Sequence, residues 1–181
     1  MEFVPTKFKD VWLIKPKVFQ DKRGFFLESF SQKVFQEKGI EIDFVQDNHS
    51  LSVNKGVLRG IHFQLPPHAQ TKLVRVVRGS VYDVIVDLRR KSSTFGQWEG
   101  FNLNADNFLM LLVPKGFGHA FCTLESNTEF LYKVDEFYTP KLDSGIIWND
   151  PTLAIDWPVK IPILSKKDKK LQFFKDFQSP F

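Results

Sequence analysis

The sequence predicts a mainly β fold, a sandwich or barrel of short strands with a few short helices, and three observations carry that prediction. Runs of β-favouring residues recur at regular spacing, each bounded by turn residues. Aromatic residues make up 15% of the 181 residues, 20 of them Phe, and aromatics suit the pleated, half-buried surface of a strand. Where periodicity is clearest, over Val81 to Leu88, apolar residues alternate with a period of two.

Taken in order, the strand candidates are Val11 to Phe19, Gly24 to Phe30, Val57 to Phe63, Lys72 to Val77, Val81 to Leu88, Trp98 to Leu103, Phe108 to Val113, His119 to Leu124 and Glu129 to Val134. Gly56, Gly79-Ser80, Asn104 to Asn107 and Lys115-Gly116 punctuate them. This spacing suits an all-β sandwich or barrel. Within Val81 to Leu88, residues Tyr82, Val84, Val86 and Leu88 form one face, expected to be the core. Val81, Asp83, Ile85 and Asp87 form the other, expected to meet water or a polar cavity. Ser31 to Lys38 reads as a helix capped by Ser31 and ended by Gly39. A second short helix is expected near Lys166 to Phe174, after an extended linker holding Pro158 and Pro162. No internal repeat or low-complexity segment is present. One domain over 1–181 is expected, with its barrel core at about 40–140 and N-terminal strands and C-terminal tail packed around it.

Composition narrows the function classes. At 43% hydrophobic and 25% charged the chain can bury a core. No run of about 18 apolar residues exists, so no membrane-spanning helix is expected. Met1 to Asp10 lacks the apolar stretch of a secretory signal, and a cytoplasmic location is the default expectation. The single cysteine, Cys122, cannot form an internal disulfide. The net charge of +4 owes much to Lys166, Lys167, Lys169 and Lys170. No nucleic-acid motif accompanies it, so a small phosphorylated ligand suits the chain better than a polymer.

Four histidines are present, two in suggestive settings. His62 lies in VLRGIHFQ and His119 in VPKGFGHAF. The spacing Pro114-x-Gly116-x-x-His119 resembles the second motif of double-stranded β-helix (cupin) proteins, so a metal site is the first hypothesis. A metal-binding cupin usually supplies His-x-His and a downstream Glu. Here Gln64 stands two residues after His62 and no such Glu follows. At most two ligands are visible where a catalytic metal needs three, and no metal or other cofactor is expected. The histidines are then proton-transfer groups or donors. Arg59, Lys72 and Arg75 near His62 point to an anionic ligand. On a regular strand Arg59 and His62 face opposite sides. Either a bulge at Gly60 brings both inward, or Arg59 serves another edge of the site. Cys122 has opposite parity to His119 and reads as a small core residue, not a nucleophile.

These segments together resemble the dTDP-4-dehydrorhamnose 3,5-epimerases, enzymes of cupin-type double-stranded β-helix (jelly-roll) fold. The resemblance runs through DKRGFFLESF from Asp21, FVQDNHS from Phe44, VLRGIHFQ from Val57, QTKLVRVVRGSVYDVIVDLR from Gln70, VPKGFGHAF from Val113, LYKVDEFYTP from Leu131, SGIIWNDP from Ser144 and ILSKKD from Ile163. Departures are mild: Ile61 and Phe63 stand for the usual Leu and Tyr. The resemblance implies His62 as general base with Asp168 as its partner, and Tyr132 as general acid on the opposite face of the sugar. It implies Lys72 at the ketone oxygen and His119 as a further donor in the sugar pocket. Arg23, Glu28, Gln46, Asp47, Asn48 and Arg59 match positions that hold the nucleotide and diphosphate. Tyr138 matches an aromatic near the substrate, with Asp143 and Lys167 as further contacts. The substrate implied is a dTDP-4-keto-6-deoxy sugar, and the assembly a homodimer in which some residues reach the partner's pocket.

The chemistry fits the residue set. A ketone at carbon 4 acidifies the hydrogens on carbons 3 and 5, and the resulting enolate needs a fixed positive neighbour. A tyrosine serves as the acid if nearby cations lower its pKa. The competing functions are a single-carbon epimerase of another nucleotide-linked 4-keto sugar, a metal-dependent cupin enzyme, and a non-catalytic sugar-nucleotide-binding module. Phe3, Phe8, Phe173, Phe174, Phe177 and Phe181 cover an interface or fold back onto the barrel.

Overall fold

The computed structural model describes residues 1–181. Thirteen strands and one α-helix occur in chain order: β1 (Glu2–Pro5), β2 (Trp12–Lys15), β3 (Val18–Asp21), β4 (Gly24–Leu27), α1 (Gln32–Glu37), β5 (Gln46–Ser52), β6 (Leu58–Gln64), β7 (Lys72–Arg78), β8 (Ser80–Asp87), β9 (Trp98–Asn104), β10 (Met110–Val113), β11 (Phe117–Thr123), β12 (Thr128–Val134) and β13 (Asp143–Gly145). They form a six-stranded sheet, β1-β2-β10-β7-β12-β5, and a five-stranded sheet, β13-β6-β11-β8-β9, with β3-β4 as a separate hairpin. The two large sheets are not joined into a closed cylinder, so the jelly roll is an open one. No helix is long and apolar enough to cross a membrane.

The main core lies between the sheets: Val74, Val76 and Phe130 from one meet Val81, Ile85, Phe117 and Phe121 from the other. On β8 the expected core face, with Val84, Val86 and Leu88, is buried, and the other face looks between the sheets, where Asp83 bonds the cavity residue His119. Val81, Asp83 and Ile85 point into this interior, and Asp83 and Asp87 are fully buried rather than wetted. The opposite face is buried as well, because the chain after β13 wraps over it. Phe63, Val86 and Leu88 pack there against Trp157, Phe174, Phe177 and Phe181. Asp87 is satisfied by Arg89, Ser92 and Thr94, as a buried carboxylate must be.

The expected strand over Val11 to Phe19 is two strands, split at Pro16, which has no N–H to give a ladder. Helix α1 ends as expected and buries Phe35 against Phe3 and Phe30, but the Ser31 side chain makes no capping bond. In place of a helix over Lys166 to Phe174, the tail makes two 3₁₀ turns, Asp168–Lys170 and Phe174–Asp176. Of the six terminal phenylalanines, only Phe173 is exposed. The exposed apolar surface lies elsewhere, at Phe19, Phe25 and Phe26 on the β3-β4 hairpin, exposed by 53%, 57% and 71%.

Candidate active site

A cavity of about 490 Å³ with a mixed polar and apolar lining opens between the sheets. Strands β7 and β12 bring Lys72 and Tyr132 to it from the six-stranded sheet. Strands β6 and β11 bring Arg59, His62 and His119 from the five-stranded sheet. The tail adds Asp168, and Val57, Leu58, Phe121, Ile163 and Leu164 form an apolar wall.

The parity conflict between Arg59 and His62 is resolved by a bulge. His119 pairs with His62 and Phe121 with Arg59, so a two-residue step on β11 spans three on β6. The extra residue sits at Gly60, whose φ is +127°. A Cβ there would lie 2.3 Å from the Ala120 Cβ, so only glycine fits. Both side chains therefore line one cavity.

His62 donates from Nε2 to Asp168 Oδ1 at 2.5 Å. This leaves Nδ1 as the nitrogen free to take a proton. The carboxylate is buried at 3% exposure. Burial alone would raise its pKa, but the bonds from His62 and Ser165 hold it below the usual carboxylate value. It therefore stays charged and holds the imidazole by a charge-assisted hydrogen bond. Asp168 is placed there by backbone ties on either side. Ile163 pairs with Val57 and Gln172 with Ile146.

His119 donates from Nε2 to both oxygens of Asp83, at 3.0 and 2.9 Å. Burial pushes the Asp83 carboxyl above its ordinary value, opposed by His119 and Lys72. Lys72 has its pKa lowered to about 8, chiefly by desolvation, with Asp143 and Asp83 opposing and Lys167 adding. Tyr132 differs from expectation. Burial raises its pKa, Arg59 opposes and Asp143 adds, so cations do not make this phenol more acidic than usual. It stays protonated at neutral pH, the form in which a general acid must wait.

The other expected contacts are distributed. Gln46 and Asn48 bond to each other at 2.9 Å, and the Tyr138 N–H donates to Gln46 Oε1 at 3.2 Å. Asp143 on β13 accepts from Tyr138 Oη at 2.8 Å and from Lys167 Nζ. Burial would raise the Asp143 pKa, but Lys167 and Tyr138 hold it low. Asp47, by strand alternation, faces away from Gln46 and Asn48. It pairs with Lys133 at 2.8 Å beside a second cavity of about 280 Å³, whose lining also includes Asn48. Arg23 sits on the exposed hairpin paired with Asp21, and Glu28 is exposed beyond it. Neither lines the cavity within this chain. Cys122 is buried, and desolvation raises its thiol to about 11.

Two polar residues were not among the expected site residues. Asp83, on the β8 face expected to meet water or a polar cavity, lies at the cavity bonded to His119. Ser165 stands three residues before Asp168 in the ILSKKD segment and bonds to it. No group of three or more His, Cys, Asp or Glu side chains is arranged to hold a metal ion.

Known proteins resemble this chain in sequence and fold. A family model described as dTDP-4-dehydrorhamnose 3,5-epimerase matches residues 5–176. The dTDP-4-dehydrorhamnose 3,5-epimerase of Shigella flexneri is 53% identical, with 97% of each chain covered. A crystal structure of the enzyme of that name from Bacillus anthracis, with TDP and PPi bound, superposes with a TM-score of 0.93. It is 54% identical and the match covers 95% of this chain and 98% of that one. A dTDP-6-deoxy-D-glucose-3,5-epimerase from Legionella pneumophila, in complex with dTDP-4-keto-L-rhamnose, also gives 0.93. It is 43% identical, with 98% and 94% covered. Fold, sequence and the matched span agree, and the chain belongs to the dTDP-4-dehydrorhamnose 3,5-epimerase family.

Proposed function

We propose that this chain converts dTDP-4-dehydro-6-deoxy-D-glucose to dTDP-4-dehydro-L-rhamnose by inverting carbons 3 and 5. The observation that carries the reading is the opposition of His62 and Tyr132, which enter one cavity from opposite sheets with Lys72 alongside. A sugar ring lying between the sheets exposes one face to each. His62 Nδ1 takes the proton beside the ketone, the C–H electron pair moves into the ring as an enolate, and Lys72 stabilises the oxygen. Tyr132 then gives its phenolic proton to the other face of the same carbon. Exchange with water returns a proton to Tyr132 and removes one from His62. Arg59 supplies positive charge for the diphosphate.

The active assembly is a homodimer in this reading. The hairpin leaves Phe19, Phe25 and Phe26 more than half exposed beside Arg23, with Phe25 set against Phe108, a surface suited to a second copy. Arg23 and Glu28 then serve the partner's cavity. A cytoplasmic setting goes with the same reading.

Turnover in heavy water tests it. Deuterium is expected at both carbons 3 and 5, and label at one carbon only overturns the double inversion in favour of a single-carbon epimerase. His62→Ala keeps nucleotide binding and loses about 10²–10⁴ in rate.

A further inference from the structure

We propose that Ser165 is a positioning residue, the third member of a relay Ser165–Asp168–His62 that fixes the direction and strength of the base. The inference rests on His62 being the base, as proposed above. The Ser165 hydroxyl donates to Asp168 Oδ2 at 2.7 Å, while His62 occupies Oδ1. Each carboxylate oxygen thus has one dedicated donor, and the carboxylate plane cannot rotate without losing one of them. The same hydroxyl oxygen accepts from the Asp168 backbone N–H at 3.0 Å. Ser165 therefore clasps Asp168 by main chain and side chain together.

The clasp is needed because Asp168 lies on a single 3₁₀ turn in a tail with little regular structure. The ties at Ile163 and Gln172 fix the segment, not the carboxylate torsion. A bond from Ser165 also draws charge from the carboxylate. Its removal concentrates that charge on His62 and stabilises the imidazolium, so the base holds its proton to higher pH.

A turn-capping role alone would also lower stability in Ser165→Ala, so stability cannot discriminate. The deciding readouts are kcat against KM and the acid limb of the kcat–pH profile. For Ser165→Ala, kcat falls about tenfold, the scale of one hydrogen bond to a charged group. KM changes less than about twofold, the acid limb moves upward, and Ser165→Thr restores all three. Loss of stability with an unmoved limb and unchanged kcat overturns the relay. If Ser165→Ala does not fold, Ser165→Cys, a weaker donor of similar size, shows the same upward movement of the limb, and an unmoved limb overturns the proposal. His62→Ala runs alongside. If it retains turnover, the assignment of the base fails; if it is inactive while Ser165→Ala matches wild type, only the relay fails.

Discussion

Lys72 offers the sharpest test of the electrostatics. Its amine is desolvated between the sheets, and its pKa is lowered to about 8 against the ordinary lysine value near 10.5. At pH 7 about nine-tenths of it is ammonium, and at pH 9 about one-tenth, because each pH unit beyond the pKa is a tenfold change. If the ammonium holds the enolate oxygen, kcat falls about tenfold between pH 7 and pH 9. Tyr132 does not confuse this limb, since burial moves its pKa upward, away from 8. Lys72→Met keeps the packing volume but removes the charge, and its kcat drops by about 10²–10³. The assay is deuterium incorporation from heavy water, followed by NMR across the pH range. A wild-type profile flat through pH 9, or Lys72→Met turning over at the wild-type rate, refutes the reasoning. Stability moves the other way. Between pH 8 and 10.5 the unfolded chain holds a proton that the folded chain has lost, so folding becomes more favourable as pH rises through that window. Below it the fold carries the cost of a desolvated ammonium, and Lys72→Met raises the thermal midpoint at pH 7.

Two further perturbations separate the proton-transfer roles from the scaffold. Tyr132→Phe leaves abstraction by His62 intact, so exchange of the carbon-bound hydrogens with heavy water persists while inversion slows about 10²–10⁴-fold. Equal loss of exchange and inversion, read by NMR, removes Tyr132 from the acid role. Gly60→Ala forces a Cβ to within 2.3 Å of Ala120 at a φ of +127°. It is expected to cost about 3 kcal/mol by chemical denaturation, with loss of activity as the bulge between Arg59 and His62 relaxes; an unchanged denaturation midpoint contradicts that geometry.

Strands that carry their own signal were legible before any coordinates. Val81 to Leu88, Lys72 to Val77 and Glu129 to Val134 each fall within two residues of strands β8, β7 and β12. Strand β5 was not foreseen because Gln46–Ser52 is almost wholly polar. Its pairing with β12, residue for residue from Ser52–Thr128 to Gln46–Val134, overrides a weak local preference. Short β1 and β13 likewise exist through their partners β2 and β6. The phase of β8 was readable, and its apolar face is buried as expected; that both faces are buried was not, because the cover on the apolar face comes from a tail more than 60 residues away. At the site, the motif segments named the cavity residues Arg59, His62, Lys72, His119, Tyr132 and Asp168. The sequence did not reveal that Asp47 faces away, because β5 itself was not foreseen and the alternation that turns Asp47 toward Lys133 follows from that strand. Nor could it give the sign of the Tyr132 shift, which is set by how deeply the phenol is buried.

The imidazole of His62 and the carboxylate that steadies it are 106 residues apart. A ribosome finishes both large sheets well before it releases Asp168. A nascent chain can thus pair its strands while its proton acceptor still lacks both its counter-ion and the tail wall of the cavity. The same separation means that a nick in the exposed stretch around Ile161 would cut the covalent link to Asp168 and to the phenylalanines that cover the five-stranded sheet together. Changes in that stretch can also retune the base without repacking the barrel that binds the sugar.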